Sequence, residues 1–313
     1  MYVIEHLENA RNPLFSYEII PPARGKSVKD ILDIVEQIYP YEPPFIDVTS
    51  HSAEAYYEEL NDGMVRRRIR KKRPGTISIC GIIQNRYNID TVAHLLCRGF
   101  TKEETEDAMI ELNYLGIHNV LAVRGDEINY KPPRDFNRSA NVYAIDLVEQ
   151  LNDLKNGKYI ESISNAEPMP ICIGVGGYPE KHYESPNYKT DLMHLKRKVE
   201  KGADYIVTQM LFDNSAYFDF VKKCQEVGIT VPIIPGIKII NKVSQLTSIP
   251  KKFFVNLPEE LVDEIMENRK HVREIGRNWA VKQCKELMEH GVKCLHFYIM
   301  TDATSVIKVI KNL

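Results

Sequence analysis

TISICGII, residues 76–83, is the stretch on which the fold turns. Its isoleucines favour a strand. As a strand it would be the ninth, because eight other short apolar runs punctuate the chain. Four lie in the first half: PLFSYEII (13–20), FIDVTS (45–50), TVAHLLC (91–97) and NVLAVRGD (119–126). PICIGVGG (170–177), YIVTQML (205–211), VPIIPGI (231–237) and CLHFYIM (294–300) follow. Stretches with helical apolar spacing separate most of them. Eight strands alternating with helices specify a closed (β/α)8 TIM barrel of the α/β class. A ninth strand has no place in it. Residues 76–83 are therefore read as a helix, and the third strand is placed at 91–97.

Outward from there, Val28–Ile38 predicts a helix with Ser27 as its cap. Lys102–Leu115 predicts another, with Thr101 and Glu104 as a capping box and Gly116 as its stop. Further helices are expected at 140–154, 191–201, 215–227, 259–268, 272–290 and 303–312. Ser52–Asn61 reads as a polar, acidic helix or loop. The basic run Val65–Arg73 (VRRRIRKKR) could grip a phosphate or an acidic partner, but reads better as a solvated helix end or an oligomer contact. Glu127–Ser139 is a long polar loop directly after a strand, a usual place for function. Lys155–Pro168 is a second, on the opposite rim.

A chain of 313 residues suits one barrel with insertions, so residues 1–313 are expected to form a single domain. The formal net charge of -2 gives no global attraction to nucleic acid or an anionic membrane. No apolar run is long enough to span a bilayer. The N-terminus lacks the pattern of a secretory signal. The six cysteines form no CxxC pair and sit in apolar patterns, as in a reduced cytoplasmic protein. HExxH, HxH, GxGxxG, Walker and GxSxG motifs are absent, so neither a metal site nor a Rossmann mode of binding is expected.

In a barrel the C-terminal strand ends converge on one rim. Here those ends carry Glu18, Thr49, His94, Asp126, Tyr178, Gln209 and Tyr298. Glu18 interrupts an apolar strand, and an inward position would raise its pKa toward that of a proton donor. Arg124 could pair with a phosphate, and Gly125 lets a ligand approach the backbone. Arg124 and Asp126 also read as an ordinary surface pair. Gln209 offers an amide suited to a heterocycle edge. Tyr178 and His182 could stack on a ring, while Asp191 and Lys198 share a helix face. His94 alone reads as a satisfied core histidine.

Together these segments resemble the methylenetetrahydrofolate reductase family, from about Phe15 to Tyr298. YEIIPP resembles its first-strand motif, which implies that Glu18 is the proton donor. DVTS and AHLLC imply flavin contacts by Thr49 and His94. AVRGD implies Arg124, Gly125 and Asp126 beside the flavin, with Asp126 also catalytic and reaching the folate. NVYAIDL implies contacts by Tyr143 and Ala144. GGYPEKH through DLMHLKRKV implies Tyr178, His182, Asp191 and Lys198, and VTQMLFD implies folate binding by Gln209. The family often has phenylalanine where this chain has Ile19, Ile20, Met210 and Leu211, and Ile249 stands where some members have an aromatic.

The resemblance implies non-covalent FAD, reduced at N5 by NADH or NADPH. A ping-pong reaction then carries 5,10-methylenetetrahydrofolate to 5-methyltetrahydrofolate for methionine synthesis. It further implies a cytoplasmic homo-oligomer with small-molecule partners only and no C-terminal regulatory domain. Two alternatives stay open. A proline-dehydrogenase-like flavin barrel would need a late pair of arginines, and Arg269, Arg273 and Arg277 fall in or beside helices instead. A non-catalytic folate- or flavin-binding subunit of a methyl-transfer complex would not need Glu18.

Overall fold

The computed structural model describes residues 1–126 and 139–313. The expected loop at 127–139 lies, except for Ser139, outside the described residues. The strands are β1 (Leu14–Ile19), β2 (Phe45–Val48), β3 (Ala53–Glu59), β4 (Val65–Lys71), β5 (Asp90–Leu96) and β6 (Asn119–Val123). They continue with β7 (Cys172–Gly177), β8 (Tyr205–Leu211), β9 (Ile233–Ile237) and β10 (Cys294–Met300). Eight close into a parallel barrel in the order β1-β10-β9-β8-β7-β6-β5-β2. They are the eight runs read from the sequence.

The helices are α1 (Val3–Asn9), α2 (Lys29–Ile38), α3 (Thr76–Tyr87), α4 (Lys102–Tyr114), α5 (Ala144–Lys155) and α6 (Tyr188–Glu200). After them come α7 (Asn214–Glu226), α8 (Gln245–Phe253), α9 (Glu259–Glu267), α10 (Val272–Glu289) and α11 (Thr304–Ile310). The strand-like stretch 76–83 is helical, within α3. Its Ile79, Cys80 and Ile83 recur at helical spacing and are buried with the barrel core. Gly75 precedes it at φ 105°, a conformation that costs glycine little. Thr101 and Glu104 form the expected capping box on α4. The N-cap position of α2 is Val28 rather than the expected Ser27, although Ser27 Oγ accepts from the Lys29 amide at 3.1 Å.

Two expectations are corrected. Residues 52–61 and 65–73 are neither helix nor irregular loop; they contain β3 and β4, an antiparallel ribbon outside the barrel. Residues 61–70 of this ribbon are all exposed. Its turn is closed by Gly63 at φ 78°. The base is held at the rim, where Arg24 donates to Lys71 O and Arg73 to Pro21 O.

Helix α1, not foreseen, closes the N-terminal end of the barrel. Val3 and Leu7 pack beneath Phe45, Val92, Leu121, Tyr205 and Ile234. The Val3 amide donates to Asn119, and both the N-terminal ammonium and His6 pair with Asp90. All six cysteines are buried and unpaired. No described helix is long and apolar enough to cross a membrane.

Candidate active site

With the N-terminal end plugged by apolar residues, polar side chains gather toward the other end of the barrel. Glu18 emerges from β1 beside Asp47 of β2 in register. Both are buried, Asp47 completely. His94 of β5 reaches between them, its Nε2 lying 3.2 Å from Asp47 Oδ2 and 3.7 Å from Glu18 Oε2. On the far side of Asp47 stands His296 of β10, with Nδ1 4.0 Å from Oδ1 and 2.9 Å from Ser16 Oγ.

Burial raises the Glu18 pKa to about 7, against the opposing pull of His94 and Lys238; Asp47 adds to the rise. For His94, burial disfavours the charged ring. The Asp47 hydrogen bond and the Glu18 and Asp47 charges outweigh it, so the pKa is raised. Burial pulls Lys238 down to about 8. Its ammonium donates to Tyr298 O at 2.7 Å.

Two irregularities shape the rim. The β1–β10 register slips just after Glu18, and the β8–β9 register slips between Val207 and Met210. Bulges at a barrel rim re-aim side chains. The second contains Gln209, half-buried, whose Oε1 accepts from the Met210 amide. Tyr298 donates to Thr208 O at 2.7 Å across Gly236. A Cβ at Gly236 would lie 2.5 Å from both Thr208 O and the Tyr298 ring.

A second group lies after β6 and β7. The Tyr178 and His182 rings meet edge to face at 4.6 Å. Asp191 accepts from the His182 amide and the Ser185 hydroxyl. Lys198, half-buried, donates to Gly176 O, and burial pulls its pKa down to about 8. Among the described residues no carboxylate pairs with it. Arg124 pairs with Glu184, not with Asp126, and stands over the Tyr143 ring. Its Nε is buried with no partner among the described residues. Tyr143 caps α5, and Ala144 begins it. Gly125 lies at φ 86°, and Asp126 is exposed on the rim. Thr49 Oγ1 is 3.1 Å from His51 Nε2.

Asp47, Lys238 and His296 also line this cluster, although no motif in the sequence singles them out. Asp47 carries the signal that marked Glu18, a carboxylate inside an apolar strand. A cavity of about 500 Å³ opens at the opposite end, lined by Leu7, Tyr217, Phe218, Ile233 and His290, away from the polar rim.

Comparison with known proteins gives this arrangement its context. Residues 3–313 match the family described as methylenetetrahydrofolate reductase. The chain belongs to the methylenetetrahydrofolate reductase family. A 5,10-methylenetetrahydrofolate reductase from Salmonella typhimurium is 30% identical, over 92% of this chain and 86% of its own length. Methylenetetrahydrofolate reductase (NADH) 1 of Zea mays is also 30% identical, over 100% of this chain and 51% of its own. The chain thus spans about half the length of the plant members of the family. An uncharacterized Clostridium thermocellum protein that binds two copies of 5-methyl-5,6,7,8-tetrahydrofolic acid shares the fold. Its TM-score is 0.61 at 14% identity, covering 99% of this chain and 97% of that one.

Proposed function

We propose that the chain is a flavoprotein that reduces 5,10-methylenetetrahydrofolate to 5-methyltetrahydrofolate, with Glu18 as the proton donor. The observation that carries this reading is Glu18 itself. It is a buried carboxyl at a barrel-strand end whose pKa of about 7 keeps a large neutral fraction near neutral pH. Family membership supplies the reaction class.

The residues after β6 and β7 fit FAD. Among the described residues Lys198 has no carboxylate partner and Arg124 Nε no partner, and both suit a pyrophosphate. A Cβ at Gly176 would meet nothing nearer than Tyr178 Oη at 3.9 Å, which leaves room beside it. Arg124, Gly125, Asp126, Tyr143, Ala144, Tyr178, His182, Asp191 and Lys198 would hold the cofactor, with Thr49 and His94 across the barrel. FAD bound there would supply the hydride chemistry that links NADH or NADPH to the folate.

The chain's own part is binding, orientation and proton supply. Gln209 presents an amide to the pterin edge. Neutral Glu18 donates its proton to a ring nitrogen of the folate, which opens the five-membered ring to a cationic iminium. The Glu18 carboxylate left behind faces His94 and Lys238. Asp126 puts a negative charge near the iminium. Six buried, unpaired cysteines suit a reducing compartment such as the cytoplasm.

The test is the absorption spectrum of the purified protein. Flavin bands that bleach anaerobically with NADH or NADPH, and return when 5,10-methylenetetrahydrofolate is added, are expected. A colourless protein that FAD cannot reconstitute overturns the reading.

A further inference from the structure

Asp47 has no part in the chemistry so far, yet it is the most deeply buried charged group at the site, with no exposed surface. A carboxylate taken fully out of water needs a partner of opposite charge or several donors. Asp47 Oδ1 has no hydrogen bond among the described residues. Oδ2 has one, to His94 Nε2 at 3.2 Å. The nearest other cation candidate, His296, lies 4.0 Å from Oδ1, and burial lowers its pKa. The stabilisation of Asp47 therefore falls mainly on His94. That same nitrogen is 3.7 Å from Glu18.

We propose that Asp47 is a positioning residue: it holds the His94 ring as a cation beside Glu18. The cation then stabilises the Glu18 carboxylate that remains once the proton has gone to the folate. A neutral imidazole could not do this, because it carries no positive charge to offset the carboxylate left on Glu18. Asp47 also offsets the ring's charge, at the same nitrogen that Glu18 faces. Glu18 thus meets a buried ion pair rather than an isolated cation, and remains a proton carrier near neutral pH.

The other groups facing this array do not replace Asp47. Lys238, just after β9, and Tyr298 of β10 face Glu18. His51, from the segment after β2, feels the His94 charge, and burial lowers its pKa. The Tyr205 hydroxyl is buried and influenced by Asp47, but it is neutral. None of them supplies a second carboxylate to His94. Of the three charges acting on Glu18, His94 acts more strongly than Asp47, and Lys238 least. Loss of the pair should therefore raise the Glu18 pKa further.

Asp47→Asn in the holoprotein is the test, read first by NMR titration of the His94 ring and the Glu18 carboxyl without folate. The His94 pKa should fall by about one unit or more, and that of Glu18 should rise. In the folate half-reaction, the basic limb of the pH profile should move up with Glu18, and the low-pH plateau should fall roughly tenfold. Unchanged titrations overturn the proposal, as does a slower reaction with an unmoved pH profile. Glu18→Gln provides a second arm if Asp47→Asn folds poorly. It should leave the His94 pKa above that of free imidazole, because Asp47 remains, and a fall below that value overturns the assignment. The role given to Glu18 rests on the proposed function, but the titrations do not. A failed folate assignment is thereby separable from a failed Asp47–His94 pair.

Discussion

Glu18 is the residue where stability and chemistry meet. Its folded pKa, raised to about 7 by burial, stands above the value of a free carboxyl. The stability it confers is present in full below about pH 4.5 and lost as pH rises through 7, worth about 3 kcal/mol in all. Glu18→Gln should remove that slope. Denaturant unfolding at pH 5 and pH 8 should show the variant gaining on the parent at the higher pH, whereas parallel curves would mean that Glu18 is not buried as a neutral acid. Gly236 matters for space rather than charge. An added Cβ would meet Thr208 O and the Tyr298 ring at 2.5 Å, and Thr208 O is backbone that cannot swing away. Gly236→Ala should cost about 2–3 kcal/mol by overpacking and displace Tyr298. Unfolding free energies check it, and a change under about 0.5 kcal/mol would contradict that contact. Glu18 and His94 could be read from the sequence because each interrupts an apolar run. Asp47 sends the same signal from FIDV, but a four-residue strand gives it little contrast. Lys238 lies one residue beyond its run, where no periodicity marks it.

Among the elements, the barrel strands were legible because they are covered on both sides. Such strands read as continuous apolar stretches. Their bulges at Glu18 and Gln209 were not, since one displaced pair leaves no mark on composition. The ribbon of β3 and β4 was missed for the opposite reason. Solvent reaches most of it beyond Tyr56, and its strands, AEAYYEE and VRRRIRK, lack the apolar run that marks a buried barrel strand. Cross-strand pairs hold it, including the Arg68–Glu58 ion pair and Arg70 stacked on Tyr56. Two-stranded ribbons are marginal by themselves, and this one adds little buried surface to the barrel. Replacing residues 53–71 by a short glycine turn should leave the barrel folded, with Tm within about 4 °C of the parent. Circular dichroism melting checks this, and a collapse of the transition would show that the ribbon is part of the core. Stretch 76–83 teaches the complementary lesson. Its strand-like composition yields to the 3.6-residue spacing of Ile79, Cys80 and Ile83, which must face the barrel.

At the scale of the whole molecule, the fold separates stability from chemistry along the barrel axis. One end is plugged by α1 and an apolar layer; toward the other, Glu18, Asp47 and His94 are buried together. Folding thus places Glu18, Asp47 and His94, which are distant in sequence, within one buried cluster. On the proposed function, this cluster serves the folate half of the reaction and not the flavin half. Anaerobic stopped-flow kinetics of Glu18→Gln, with the two halves measured separately, test it most directly. Reduction of the bound flavin by NADH or NADPH requires no acid and should stay within about threefold of the parent. Reoxidation by 5,10-methylenetetrahydrofolate should fall by roughly 10²–10⁴-fold, the usual contribution of a positioned proton donor. An equal loss in both halves, or none in the second, would contradict the account.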